Sequence, residues 1–321
     1  MNVKQSILSA LEQNRGTALS GQALAEQLGV TRNAVWKAIH TLQAEGYAVL
    51  ASPNRGYRLA DDCDRLSAAG LAAEMRMPVP VYAFDTLDST NSEARRRVAA
   101  GEAAPFVVVA EGQTEGRGRR GHSFFSPQGA GLYMTVALSA GLAVEEALGV
   151  TAYAAVCVTD ALLRLTGRDA RIKWVNDLYW EGRKVCGILT EAITDLEGGT
   201  VDTLLVGIGL NLRPAEPPAA WRDVIGSLRC EAPIKNTLGA AIADALLQYS
   251  PADTTYLTRY RERSLTLHRR VRCTVGGQSQ TGIAETIDAH GALCVRTDGG
   301  QLLTLRGGEV ELLPEANHPE P

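Results

Sequence analysis

Paired cysteines are missing. Cys63, Cys157, Cys186, Cys230, Cys273 and Cys294 are scattered, with no CxxC spacing, which argues against a disulfide framework or a zinc site and fits a reducing compartment. Long apolar runs are missing too. No stretch approaches the ~18–20 apolar residues that a membrane span needs. The opening MNVKQSILSALEQN is amphipathic and carries Glu12, without the apolar core of a secretory signal. A cytoplasmic protein is therefore expected. There is no internal repeat, and no Ser/His/Asp or Cys/His set stands out as a nucleophile with its base. What is present is ordinary globular composition, 45% hydrophobic and 21% charged, over 321 residues, enough for two or three domains with real cores.

Charge is spread unevenly. In residues 1–60, Lys4, Arg15, Arg32, Lys37, Arg55 and Arg58 stand against Glu12, Glu26 and Glu45, a net +3; the chain total of −4 leaves −7 for the remainder. A small basic module precedes a large acidic one. The first has the charge for nucleic acid.

That first module reads as three helices and a hairpin. Ile7, Leu8 and Leu11 share one face. Ser20 caps GQALAEQL, and Thr31 caps RNAVWKAIHTLQAE, which ends at Gly46. YAVLASPNRGYRLA supplies two short strands around a turn. This is a winged helix-turn-helix over residues 1–62. Val35, Ile39 and Leu42 face inward. Arg32, Asn33, Trp36, Lys37 and His40 face outward as DNA-reading candidates, with Arg55 at the hairpin tip for a phosphate. A protein-binding winged helix is the alternative, and the basic face favours DNA.

Residues 61–80 read as a linker running into a short helix. Strands are expected at VYAFDTL, 106–110, 132–138, IKWVNDLYW, KVCGILTEA and TLLVGIGLN, helices at SEARRRVAAG and 145–167, and two surface helices at 236–249 and 252–263. The mixed α/β domain runs over 63–267. From 268 to 314, short strands between glycine turns indicate an SH3-like β domain, and 315–321 reads as a disordered tail.

The densest chemistry lies in AEGQTEGRGRRGHSFFSP, residues 110–127, where three arginines alternate with three glycines from Gly116 to Gly121. Glycine brings the backbone N–H groups close to a ligand, and arginine offers planar charged donors matched to phosphate or carboxylate. The loop is an anion-wrapping lid or an RG-type nucleic-acid tether. Three other segments bear on the choice. Asp88-Ser89-Thr90-Asn91 ends a strand with hydroxyls and an amide, or only caps a helix. Lys173-Trp174-Val175-Asn176-Asp177 and Arg183-Lys184-Val185-Cys186-Gly187 bring two lysines to one edge. Gly207-Ile208-Gly209-Leu210-Asn211 is a glycine-bearing strand on which something can lie flat, or a bulge.

Together, STN, GQTEGRGRRG, KWVND, RKVCGIL and GIGLN, in order from about residue 80 to 213, resemble the biotin–protein ligase family. The C-terminal Arg306-Gly307-Gly308-Glu309 also looks like the family's. The winged helix makes the chain similar to the members that are both ligase and biotin-operon repressor. Departures are Val175, where the family usually has proline; His122-Ser123-Phe124, where it often has a basic residue and tryptophan; and Cys186, commonly alanine.

The resemblance implies an α+β multidomain protein: winged helix-turn-helix, mixed α/β ligase domain and SH3-like barrel. It implies an ATP-dependent reaction through biotinyl-5′-AMP, with transfer to a lysine of a biotin carboxyl carrier domain, Mg²⁺ as counter-ion and no protein-ligated metal. Ser89, Thr90, Asn91 and Gln113 would hold the ureido ring. Gly116, Arg117, Gly118, Arg119 and Arg120 would surround biotin and phosphates, with Gly187 and Gly207 beneath. Lys184 would bridge the biotin carboxyl and the α-phosphate, Asn176 would lie on the nucleotide side, and Asp177 would orient the incoming amine. Lys184, Asp177 and Arg119 are thus the catalytic set. Operator DNA and a homodimer formed with biotinyl-adenylate are the implied partners. Two alternatives stay open: a DNA-binding biotin sensor without ligation, and a ligase whose winged helix no longer represses. A lipoate-type ligase would leave the STN–Gln113 set without a partner.

Overall fold

The computed structural model describes residues 2–53, 55–142, 149–194, 200–275 and 278–314. The expected tail at 315–321 and the first residues of the helix expected at 145–167 lie outside them. Three side-chain caps start the N-terminal helices α1 (Val3–Gln13), α2 (Gly21–Leu28) and α3 (Arg32–Ala44): Asn2, Ser20 and Thr31 accept from backbone N–H groups of the first turns. Strands β1 (Val49–Ser52) and β2 (Gly56–Leu59) form the hairpin. Gly56, at φ +106°, lies so close to Leu19 that a Cβ would meet its carbonyl oxygen at 2.0 Å; Leu19 and Tyr57 exchange backbone hydrogen bonds there. Ile7, Leu11, Leu24, Val35, Ile39, Leu42 and Leu59 close a separate core.

The segment after the wing is not a free linker. Asp64 accepts from the Lys235 backbone N–H at 2.8 Å and pairs with Arg213 at 2.6 Å. Leu66 N–H donates to Glu111, whose other oxygen pairs with Lys235 Nζ at 2.6 Å, both side chains being almost wholly buried. A buried ion pair is tolerated when its remaining lone pairs are used in this way. Ser67 then caps helix α4 (Ala68–Glu74).

Seven strands make the central sheet: β3 (Val81–Leu87), β4 (Phe106–Gln113), β5 (Gly131–Leu142), β6 (Arg171–Lys173), β7 (Asp177–Trp180), β8 (Arg183–Thr194) and β9 (Val201–Asn211), in the order β3-β4-β5-β9-β8-β7-β6. Among the described residues only the β3–β4 pair of this sheet is parallel. The segment IKWVNDLYW is two strands rather than one, broken at Trp174–Asn176. Trp174 is drawn inward there, its N–H donating to Thr266 Oγ1 and its indole N–H to Gly291 O.

Side chains alternate across the sheet, as the period of two demands. Leu132, Met134, Val136, Ile188, Val206, Ile208 and Leu210 enter the main core. Over them pack α4, α6 (Val150–Thr166) and α7 (Lys235–Leu246), while α5 (Thr90–Ala99) lies on the other face. Of the last two helices the first is buried, contrary to what its polar residues suggest, while the second keeps Thr258, Arg259 and Glu262 exposed on its outer face. Leu238, Ala240, Ile242, Ala243 and Leu246 of α7 are buried, as are Tyr256, Leu257 and Tyr260 of α8 (Tyr256–Glu262). The polar residues that made α7 look exposed are absorbed: Asp244 accepts from Arg76 and Met77 N–H groups, and Asn236 donates to Arg65 O. Strands β10 (Arg270–Val275), β11 (Gln278–Ile287), β12 (Leu293–Thr297), β13 (Leu302–Leu305) and β14 (Val310–Leu312) form the last sheet, order β13-β12-β11-β10-β14, sharing the main core.

Candidate active site

The face of the sheet turned away from the main core holds the site, and register decides which residues meet. Tyr133, Gly209, Gly187 and Asp177 lie in one cross-strand row, and Thr135, Gly207 and Leu189 in the next. The glycines make a floor that side chains from outside the sheet approach closely. A Cβ on Gly207 would sit 2.1 Å from Asn91 Oδ1, and one on Gly209 2.3 Å from the Phe124 ring. Phe124 also lies over Gly187. The glycine strands are thus a floor and not a bulge.

Beside this floor is a buried polar nest. Ser89 stands at the N-cap of α5 but its side chain makes no cap hydrogen bond, so capping does not explain it. Thr90 N–H donates to Gln113 Oε1 at 2.8 Å. Thr135 Oγ1 lies 2.6 Å from Asn91 Oδ1 and 2.9 Å from Thr90 Oγ1. Asn91 donates to Glu191 Oε2 and Leu189 O. Gln113 spends its carbonyl on Thr90, and its amide nitrogen is the end nearest Gly116. Asp88 begins the nest: a bidentate Arg96 holds its carboxyl down to about 2.

The Gly116–Gly121 loop crosses above and contains a single turn, Arg119–Gly121, in which Arg120 adopts φ 54°, a left-handed conformation that side chains disfavour. Its three arginines part company. Arg117 pairs with Glu191 at 3.1 Å, toward the nest. Arg119 donates to Asn176 Oδ1 at 3.2 Å and Gly308 O at 3.3 Å; burial pulls its guanidinium below its ordinary value, against the favourable field of Asp177. Arg120 is exposed on the rim. Lys184 Nζ stands 2.7 Å from an Asp177 oxygen. Arg117, Gly118, Arg119, Arg120, Phe124, Asn176, Asp177, Lys184 and Gly187 line one cleft of ≈460 Å³, closed on its far side by Gly308 and Glu309. Lysine and arginines around this cleft suit an anionic ligand; Ser89, Thr90, Asn91, Gln113, Gly116 and Gly207 are not among its lining residues, and Phe124 covers Gly187 and Gly209.

Three family models match parts of the chain: HTH domain over residues 3–58, Biotin/lipoate A/B protein ligase family over 83–211, and Biotin protein ligase C terminal domain over 266–313. The bifunctional ligase/repressor BirA of Escherichia coli (strain K12) is 31% identical over 303 residues, 91% of this chain and 92% of that protein. The chain belongs to the biotin–protein ligase family. Its bifunctional ligase/repressor members also include that of Salmonella typhimurium, 32% identical over the same shares of both chains. The biotin–[acetyl-CoA-carboxylase] ligase of Mycobacterium tuberculosis is 31% identical over 69% of this chain and 85% of that one. A biotin protein ligase from Aquifex aeolicus, solved with biotin and ATP, superposes with a TM-score of 0.58 over 74% of this chain and 99% of that one; at 24% identity it shows the fold.

In this ligase the six DNA-facing candidates sit apart from the cleft. Arg32, Asn33, Trp36, Lys37 and His40 are all exposed on one side of α3, and Arg55 is exposed at the hairpin tip. Trp36 is 51% exposed and meets the His40 ring edge-on, centroids 4.1 Å apart.

Two polar residues of the cleft region escaped the sequence reading. Thr135 sits among apolar neighbours in β5, and a lone hydroxyl on a buried strand was the available signal. Glu191 lies beyond the RKVCGIL motif, where a strand glutamate reads as solvated. The C-terminal contribution of Gly308 to Arg119 is visible only in three dimensions.

Proposed function

We propose that this chain is an ATP-dependent biotin–protein ligase that makes biotinyl-5′-AMP, transfers biotin to a lysine of a biotin carboxyl carrier domain, and represses biotin-synthesis genes in response to biotin. The observation that carries the ligase half is Lys184 and Arg119 converging over the Gly187–Gly209 floor beside the Ser89–Gln113 nest. The ureido ring lies in the nest, where Ser89 and the Gln113 amide nitrogen remain to receive it, while Thr90, Asn91 and Thr135 hold the wall by bonding one another. Its carboxylate chain runs past the Phe124 ring, which covers Gly187 and Gly209, toward Lys184.

Bringing a carboxylate onto the α-phosphate sets anion against anion, so the protein's task is charge stabilisation and alignment. Lys184 lies between the two anions and Arg119 covers them from the lid. The carboxylate oxygen attacks phosphorus and pyrophosphate leaves. The acceptor lysine's amine then attacks the anhydride carbonyl and AMP departs, with Asp177 orienting that amine. Asn176 lies on the nucleotide side. Mg²⁺ accompanies ATP as counter-ion to its phosphates; the carboxylate nearest Lys184, Asp177, is already engaged by that lysine. The closed lid keeps water from the anhydride. Pyrophosphate release from biotin and ATP, followed by labelling of a carrier domain, tests this reading. Lipoate competing as well as biotin would replace it with a lipoate ligase.

A consequence concerns Arg119. Removing its side chain in Arg119→Gly deletes the lid's bonds to Asn176 and Gly308. Each charge-assisted hydrogen bond is worth roughly 1.5–3 kcal/mol. The variant should release adenylate at least about tenfold faster and so acylate bystander lysines. Mass spectrometry of a mixture with albumin reads this out, and labelling confined to the carrier domain would remove Arg119 from the lid.

A further inference from the structure

Glu191 is an acidic side chain in a region otherwise arranged for anions, and neither step above uses it. It projects from β8 with its side chain 15% exposed. Oε2 accepts from Asn91 Nδ2 at 2.9 Å; Oε1 accepts from Arg117 Nη2 at 3.1 Å and Arg95 Nη2 at 3.0 Å. Asn91 is itself held on several sides: its Oδ1 faces Thr135, its second amide hydrogen goes to Leu189 O, and it packs against Gly207. A continuous line of hydrogen bonds therefore runs from the sheet through Asn91 and Glu191 to the first arginine of the lid.

We propose that Glu191 is a positioning residue that latches the Gly116–Gly121 lid to the sheet and, through Asn91, makes lid closure and nest geometry one arrangement. An isolated pair to a 44% exposed arginine contributes little, because holding two free side chains costs entropy. Here the carboxylate is fixed in advance by Asn91 and Arg95, so Arg117 alone is immobilised when the lid docks. At its other end the lid is held differently, by Arg119 on Asn176 and Gly308 and by His122 beside Glu309 at 3.2 Å. At the nest end Glu191 is the charged partner of Arg117, beside Ser92 Oγ at 3.5 Å and the Thr114 and Glu115 N–H bonds to Leu87 O and Asp88 O. The consequence for biotin rests on the ligase reading; the latch itself does not.

Limited trypsin digestion of the full chain without ligand measures lid opening directly, because Arg117, Arg119 and Arg120 are cleavage sites within the lid. When reclosing is fast, the cleavage rate tracks the open fraction. Glu191→Gln keeps an acceptor for Asn91 and loses the charge. It should raise cleavage after the exposed Arg120 about tenfold, the cost of one charge-assisted hydrogen bond, with only the small fall in thermal midpoint that losing one such bond implies. Arg117→Gln on the exposed rim should do the same, and the double variant should be no faster than either single. With biotin and ATP, Glu191→Gln should raise KM for biotin and adenylate escape while leaving the transfer rate of bound adenylate unchanged. Parental cleavage in Glu191→Gln, or additive effects in the double variant, would overturn the latch. A parental protein that forms no adenylate would instead overturn the ligase reading, and the digestion would still judge the latch.

Discussion

Lys184→Ala is expected to slow adenylate formation by about 10²–10³-fold, the usual cost of removing one preorganised charge from a transition state. The fold should survive. The strand is held there by main-chain bonds, Lys184 N–H to Val224 O and Gly226 N–H to Lys184 O, both 2.8 Å, and alanine keeps them. The lysine side chain is 26% exposed and faces the cleft rather than the core. Its loss does two things at once. The biotin carboxylate and α-phosphate lose their shared counter-charge, and Asp177 loses its 2.7 Å partner, adding a bare negative charge beside the incoming phosphates. Pyrophosphate release measures the step, with the far-UV spectrum and thermal midpoint as controls. A folded variant releasing pyrophosphate at the parental rate would take Lys184 out of the chemistry.

Much of this was legible in the sequence, for local reasons. Ser20 and Thr31 announce their helices because an N-cap is settled by the residue and the backbone within one turn. The glycine–arginine loop and Lys184 stood out because their residue types carry charge and close approach themselves, and the structure brings both to one cleft. Features set by strand pairing were not. Asp177, Gly187, Gly209 and Tyr133 share a row only because β7, β8, β9 and β5 are neighbours in that register, and no local pattern states it. Glu191 became interpretable only when Arg117 and Asn91, far off in the chain, arrived at its two oxygens. The burial of α7 failed to show for a related reason: Lys235, Asn236 and Asp244 look solvated until Glu111, Arg65 and Arg76 are seen to meet them. The Trp174–Asn176 break likewise depends on Thr266 and Gly291 of later segments.

DNA binding should tighten about 100-fold when biotin and ATP are both present, and Arg32→Ala with Lys37→Ala should lower it by a comparable factor without altering biotinylation. The second half follows from the separate cores. Val35, Ile39 and Leu42 anchor α3 in a cluster distinct from that beneath the cleft, so trimming exposed cations on its outer side leaves the ligase site as it is. Removing one interaction with a base costs roughly 1–3 kcal/mol, while removing one with a phosphate flattens the salt dependence by about one unit of slope. Trp36, exposed beside His40, would meet a thymine methyl if α3 lies in the major groove, so its loss should relax preference at one position. The first half requires two states of the whole protein. In such a mechanism adenylate would order the lid, the ordered lid would favour a homodimer, and two winged helices would then reach two half-sites. Coupling of this kind is reciprocal, so operator DNA must tighten the dimer by the same factor. Asp64, just past the wing, pairs with Arg213 and accepts from Lys235 N–H, and Lys235 pairs with Glu111, two residues before Gln113, so the end of the wing is tied by contacts to the segment of the nest. A gel-shift titration on the promoter of the organism's own biotin genes, with and without both ligands, measures the effect. Equal affinity in the two conditions would leave a ligase whose winged helix serves some other end.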